Sequence, residues 1–258
     1  YAEADIYQMK RTIDPELLRL NDLDYLNGHT PFSALLAFVT LLAARVNAIG
    51  HIGLSNESSA NEPTIPGTHI NHQYSKTLDF EQDFRKYVHQ NISPEFNYFS
   101  FLRPLNELRI AGLFSEFPHH FSTFRSCNAG SKTGAWCGKC PKCLFTRIIL
   151  GPFLGSEKLK MIFGSELLDD MRLQGTFKEL TGIAAEKPFE CVGTLEEVNA
   201  AVQEIIKSYD GKELPALLKY YAANKTVTGA SFKTLMQQYD NRNFLPRKFE
   251  EILRSAIS

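Results

Sequence analysis

The chain has 258 residues, with 28 Lys and Arg set against 29 Asp and Glu. A net charge of −1 with 43% hydrophobic and 22% charged residues fits one large globular domain or two small ones, and excludes disordered, collagenous and coiled-coil chains. So even a balance supplies no overall field to grip nucleic acid or anionic membrane, and the longest uncharged apolar stretch, Thr30 to Ala44, falls short of the roughly 20 residues of a spanning helix.

The opening YAEADIYQMKR has no basic segment leading into an apolar core, so it does not read as a signal peptide, and the start at Tyr1 suggests a piece of a longer protein. Asn27, Gly28 and His29 precede an apolar run. There they are either an anion-binding turn at a helix N-terminus or simply a cap. Residues 31–48 are apolar nearly all round, which predicts a helix packed inside a domain. Residues 49–54 have the length of a buried strand and open into the polar loop SNESSANEP. Helix, buried strand, polar loop is the α/β pattern, in which ligands collect beyond the carboxyl ends of parallel strands. Ser55, Asn56, Glu57 and Ser58 are therefore the first site candidates, with Glu57 a candidate base or Mg²⁺ ligand.

The next polar segment holds His72, Tyr74, Ser75 and Lys76. Imidazole suits proton transfer and an ammonium suits phosphate or carboxylate, although each residue fits a solvated surface equally well. A helix over 79–90 follows, with Phe80, Phe84, Tyr87 and Val88 on one face. FNYFSFLRPL predicts a second buried strand and NELRIAGLF a helix with Asn106 as N-cap.

Four of the five cysteines then fall within seventeen residues, as Cys127-x9-Cys137-x2-Cys140-x2-Cys143. Two overlapping C-x2-C steps bring thiolates onto a tight turn around one tetrahedral Zn²⁺, and Cys127 closes the fourth position. A site filled by protein leaves no position for water, which makes the metal structural. Arg125, Lys132, Lys139, Lys142 and Arg147 stand nearby in sequence to offset the thiolate charge. Disulfides fit poorly, given the odd cysteine count and the short spacing. Reduced thiols and the missing signal peptide point to the cytoplasm.

Beyond a soft boundary near residue 165 the chain is helix-rich, giving regions 1–165 and 166–258. Thr194 and Glu197 form a capping box opening LEEVNAAVQEIIK, whose Leu195, Val198, Val202 and Ile205 share a face. Further helices read LPALLKYYAA, SFKTLMQQY and PRKFEEILRSAI. Cys191 is the one thiol outside the metal cluster. It is either an inert buried cysteine or, beside Lys187, Glu190 and Gly193, a reactive one.

The order helix, strand with an SNE loop, strand, helix, then S-C-x9-C-G-x-C-x2-C resembles PP-loop ATP pyrophosphatases such as the 7-cyano-7-deazaguanine synthases. NGHTPFSA at 27–34, SNESSAN at 55–61, NHQYSKTLDFE at 71–81 and KPFECVGT at 187–194 more closely resemble the UDP-N-acetylmuramoyl-L-alanyl-L-glutamate epimerase family, from about Arg11 to Gly193. The resemblance implies the C-terminal portion of a parallel-sheet, adenine nucleotide alpha hydrolase-like α/β domain with a four-cysteine zinc loop. It also implies ATP-dependent inversion of a terminal L-glutamate through an acyl adenylate, with Mg²⁺·ATP and the UDP-MurNAc-dipeptide as substrates. His72, Glu57 and Cys191 are then the candidate proton-transfer groups. Glutamate racemases that need no cofactor use two thiols, and with four cysteines on zinc only one remains. The S-G-G-x-D-S loop that holds pyrophosphate in PP-loop enzymes is absent, as is a Walker A motif, which assigns nucleotide binding to an upstream half. A PP-loop ligase with another acceptor is the alternative enzyme, and a zinc knuckle contacting phosphates through its basic residues is the non-enzymatic one.

Overall fold

Two short parallel strands organise the first hundred residues. The computed structural model describes residues 5–25, 31–63, 65, 67–224 and 229–258, with the backbone alone at 131 and 132. Helix α1 (Pro15–Asp22) is capped by Asp14, whose carboxylate accepts from Glu16 N at 2.8 Å, and it buries no residue. Helix α2 (Phe32–Val46) leads into β1 (His51–Leu54). Helix α3 (Leu78–Asn91), capped by Thr77, then crosses to β2 (Asn97–Ser100). The two strands pair in register from His51 with Asn97 to Leu54 with Ser100. Ala37, Leu41 and Ala44 of α2 and Phe84 and Val88 of α3 close a small core with Ile52, Phe96 and Tyr98.

Two expectations are corrected here. Helix α2 forms, yet Phe32, Phe38, Leu42 and Val46 face outward, at 53%, 47%, 57% and 76% exposure. A helix apolar all round can be enclosed only if something covers its outer side, and a sheet of two strands supplies one packing surface. The strand expected over FNYFSFLRPL stops at Ser100, because Arg103 N bonds to Ser100 O at 3.2 Å and Leu105 N to Leu102 O at 2.9 Å, turning the chain.

That turn carries Arg103 into the interior. Its side chain and that of Glu81 are 0% and 1% exposed and pair at 3.1 Å. The guanidinium also donates to the carbonyls of Glu57 and Lys76, both at 2.6 Å, while the Glu81 carboxylate accepts from Ser100 N at 3.0 Å. A buried charge is tolerated only when paired and hydrogen-bonded in this way.

The rest of the chain is helical. Helices α4 (Glu107–Ser115), α6 (Pro141–Leu150), α7 (Ser156–Phe163), α8 (Gln174–Thr181), α9 (Leu195–Ser208), α10 (Ala216–Asn224) and α11 (Phe232–Gln237) form a second core, and the short α5 (Asn128–Thr133) follows Cys127 of that core. Helix α6 is its axis: Cys143 to Leu150 are all buried, and it packs on α4, α8 and α9. Pro141 suits its first turn, and its buried charge, Arg147, is neutralised by Glu166 at 2.9 Å. Helix α12 (Arg247–Ala256) returns to the sheet, where Phe249 meets the rings of His51, Phe99 and Phe101 at 5.5, 5.0 and 6.3 Å. Among the described residues no helix is long and apolar enough to cross a membrane.

Arg103→Met is expected to lower stability by about 3–5 kcal/mol, because it strands Glu81 as an unpaired buried charge and frees two carbonyls. Glu81→Gln should also destabilise, since the amide keeps one acceptor oxygen where the carboxylate uses two, on Ser100 N and on Arg103, and leaves Arg103 without its counter-charge. Urea midpoints measure both, and an unchanged midpoint for Arg103→Met would refute the assignment.

Candidate functional site

The loop after β1 lies at the carboxyl end of the strand and is tied down along its length. Ser55 is exposed. Asn56 donates to Ser100 Oγ at 3.1 Å, and Ser58 uses its N–H and hydroxyl on Leu105 O at 2.9 and 3.0 Å. Those bonds make Asn56 and Ser58 supports of the loop, with the Glu57 side chain between them. The second polar segment forms a 3-10 turn, Tyr74–Lys76. Tyr74 turns outward to Asp83 at 3.4 Å, Ser75 is buried, and the His72 ring lies against Phe189 at 4.4 Å. Asn27, Gly28 and His29 lie outside the described residues.

Lys76 and Cys191 meet although 115 positions apart, with Lys76 Nζ donating to Cys191 Sγ at 3.2 Å and to Gln73 Oε1 at 3.4 Å. A fixed positive charge beside a half-buried sulfur is an electropositive setting of the kind reactive cysteines occupy. Around it the KPFECVGT segment is held at several points. Lys187 pairs with Glu62 and donates to Gly193 O at 3.1 Å, and Glu190 pairs with Lys142 at 3.5 Å. Gly193 packs so closely that a Cβ there would lie 3.0 Å from both Glu197 Oε2 and the Phe145 ring.

Two further glutamates join Glu57, and nothing in the local pattern around either one points to the site. Glu197 closes the capping box on Thr194, accepting from its N–H and hydroxyl at 2.7 Å each. It also reaches across the chain to Ser59 Oγ at 2.9 Å and Leu108 N at 3.3 Å. Glu107 opens α4 after the Asn106 cap. Burial raises the carboxyl of Glu57 above its ordinary range, helped by Glu197 and opposed by Lys76 and Arg103. Burial, then Glu57 and Glu197, raise Glu107 well above that range, with Lys76 opposing.

Between α4 and α6 lies a pocket of about 220 Å³, its walls including Glu107, Phe114, Phe145 and Ile149 with Lys142 and Cys191. Apolar walls with a few convergent polar groups characterise small-molecule sites. Glu57, Lys76 and Cys191 are thus brought into one neighbourhood, while Ser55 and Tyr74 face away from it.

The four clustered cysteines converge as their spacing predicts. Their sulfurs all lie within 4.8 Å of one another, with Cys137 to Cys143 at 3.6 Å and Cys140 to Cys143 at 3.5 Å. Sulfurs about 2.3 Å from one tetrahedral ion stand about 3.8 Å apart, so the set fits a single Zn²⁺. Cys127 caps α5, accepting from Gly130 N at 3.1 Å, and a Cβ on Gly130 would come within 2.6 Å of its sulfur. The expected basic surround is thinner than its spacing suggests. Arg147 pairs with Glu166, Lys142 with Glu190, and Arg125 donates to Gly134 O at 3.1 Å; the Lys132 side chain is outside those described.

Two family models match the chain, the MurL N-terminal domain over residues 2–101 and the MurL C-terminal domain over residues 123–234. The UDP-N-acetyl-alpha-D-muramoyl-L-alanyl-L-glutamate epimerase of Xanthomonas oryzae pv. oryzae is 38% identical over 216 residues, covering 81% of this chain and 48% of that protein. Proteins of the same name from a Micromonospora strain and from Salinispora tropica are each 36% identical over 214 residues, covering 81% of this chain and 48% and 47% of theirs. The chain therefore spans about half the length of the curated relatives it matches. No solved structure matches it significantly. With two domain models of one family and three relatives of one name aligned along most of its length, the chain belongs to the MurL family of UDP-N-acetylmuramoyl-L-alanyl-L-glutamate epimerases.

Proposed function

We propose that the protein containing this chain inverts the terminal L-glutamate of UDP-MurNAc-L-Ala-L-Glu to D-glutamate in peptidoglycan precursor synthesis, by way of an acyl adenylate. The shared name of the aligned relatives carries this reading, and the contact of Lys76 with Cys191 at 3.2 Å, where Cys191 borders the pocket between α4 and α6, supplies its candidate base. An α-proton beside a carboxylate is very weakly acidic, because its removal places a second negative charge on adjacent atoms. Attack of the carboxylate oxygen on the α-phosphorus of Mg²⁺·ATP releases pyrophosphate and leaves a mixed anhydride without that charge. A base then removes the α-proton, a proton returns on the opposite face, and water releases AMP. Cys191 is the base candidate, and Lys76, whose Nζ contacts its sulfur, is placed to offset negative charge that develops there.

On this reading nucleotide binding belongs to parts of the protein beyond these residues, since the chain spans about half the length of its curated relatives and carries neither an S-G-G-x-D-S loop nor a Walker A motif. Among the described residues, the outward apolar face of α2 and the outer edges of the two-stranded sheet are the surfaces on which further strands and helices would pack. Arg147, 2% exposed and paired with Glu166, speaks against a phosphate-binding knuckle. The four-cysteine set suits a structural Zn²⁺, which supplies folding energy to the loop. Cys140 and Cys143 flank the first turn of α6, so the same loop fixes one wall of the pocket.

The full-length protein, given ATP, Mg²⁺ and UDP-MurNAc-L-Ala-L-Glu, is expected to yield D-glutamate after hydrolysis together with AMP. AMP without inversion would replace the epimerase reading by a PP-loop ligase, and neither product would overturn both. Cys140→Ser should lose bound zinc, measured by elemental mass spectrometry, and melt at a lower temperature; a variant that keeps both its zinc and its melting temperature would refute the metal assignment.

A further inference from the structure

We infer that Glu107 is the second proton-transfer group, acting from the α4 wall of the pocket against Cys191 on the α6 side. The inference rests on the epimerase reading and deepens it. Inversion needs two groups, because one group fixed on one face of a planar carbanion returns the proton to the side it left. This chain has one cysteine outside the metal cluster, so it does not by itself supply a pair of thiols.

The two groups share one pocket and enter it from different segments of the chain. Glu107 enters the pocket from the first turn of α4, with its N–H 3.4 Å from Ser59 Oγ, whose hydroxyl bonds Glu197. Cys191 enters from the segment before α9, which is fastened to α6 by the Glu190–Lys142 pair and by the contact of Gly193 with Phe145. The pocket's walls come mainly from α4 and α6, and Glu107 and Cys191 both line it, so a substrate carbon held there lies within reach of both groups. Burial and the neighbouring Glu57 and Glu197 favour the neutral acid at Glu107, which suits the donor of such a pair. The thiolate takes the α-proton, breaking C–H and forming S–H; Glu107 gives up its O–H proton to the opposite face, forming the new C–H. Cys191 is left as thiol and Glu107 as carboxylate, and proton exchange with water restores both.

The test uses the full-length enzyme in D₂O with each diastereomer of the substrate, ATP and Mg²⁺. Glu107→Gln should slow inversion by about 100-fold or more, the range for loss of a general acid or base. It should still wash deuterium into one diastereomer with retention of configuration, and Cys191→Ala should wash it into the other. Inversion by Glu107→Gln within tenfold of wild type, or exchange into the same diastereomer by both variants, would overturn the inference. Should the glutamine variant fail to fold, Glu107→Asp decides: it keeps the carboxyl but withdraws it by a methylene, and an unchanged inversion rate would equally overturn the role. Wild-type enzyme that forms neither D-glutamate nor AMP would sink the underlying reading itself, an outcome distinct from either variant's behaviour.

Discussion

The buried Arg103 guanidinium is the constraint on which the candidate site depends. A charge removed from water must be matched on several sides, and Arg103 is matched by the Glu81 carboxylate and by the carbonyls of Glu57 and Lys76. Those partners come from α3, the loop after β1 and the 3-10 turn of Lys76. One side chain therefore fixes the main chain beneath two groups of the site. Its planar fork suits that task, because separate donors reach separate acceptors at once, which a lysine ammonium on a flexible stem does less well. A buried pair of this kind adds little net stability over an apolar substitute of equal volume, yet breaking it is costly, so its value lies in specifying position.

Glu197 plays the matching part between the two cores. In an isolated helix a capping-box glutamate satisfies the N-cap N–H and little else. Here the same carboxylate also accepts from Ser59 and Leu108, so the start of α9 is locked to the turn after β1 and to the start of α4. Gly193 makes the approach possible, since a Cβ would press on Glu197 and Phe145 together. The cap thereby sets Glu107 within electrostatic reach of Glu57.

What could be read from the sequence divides by distance along the chain. The cysteine cluster was legible because its geometry is local: three of the four sulfurs sit within seven residues, and only Cys127 must return. Two helix starts were legible for the same reason, since Asn106 and Thr194 each bond an N–H within three residues. Residues 31–48 gave the α2 helix but not its burial, because periodicity reports a preference for apolar surroundings and not whether this chain provides them. Arg103 was hidden inside an apolar run that read as strand. Glu57, Lys76 and Cys191 stood out as polar residues in loops, but the meeting of Lys76 with Cys191, and the convergence of Glu107 and Glu197 on Glu57, are long-range contacts that no local pattern encodes.

The electrostatics of the site bear on the order of the proposed chemistry. Glu57 and Glu107 lie within electrostatic reach of one another, of Glu197 and of Lys76, in a buried setting that disfavours ionised carboxylates, and a substrate that kept its α-carboxylate ionised would meet the same penalty. Burial is the chief cause that raises the carboxyls of Glu57 and Glu107, and the neighbouring glutamates add to it. In the proposed reaction, adenylation removes the charge from the carboxylate before the proton is drawn. The same step lowers the barrier to carbanion formation and relieves that penalty, which makes an acid-rich site compatible with an activated acyl group and a poor host for the free amino acid.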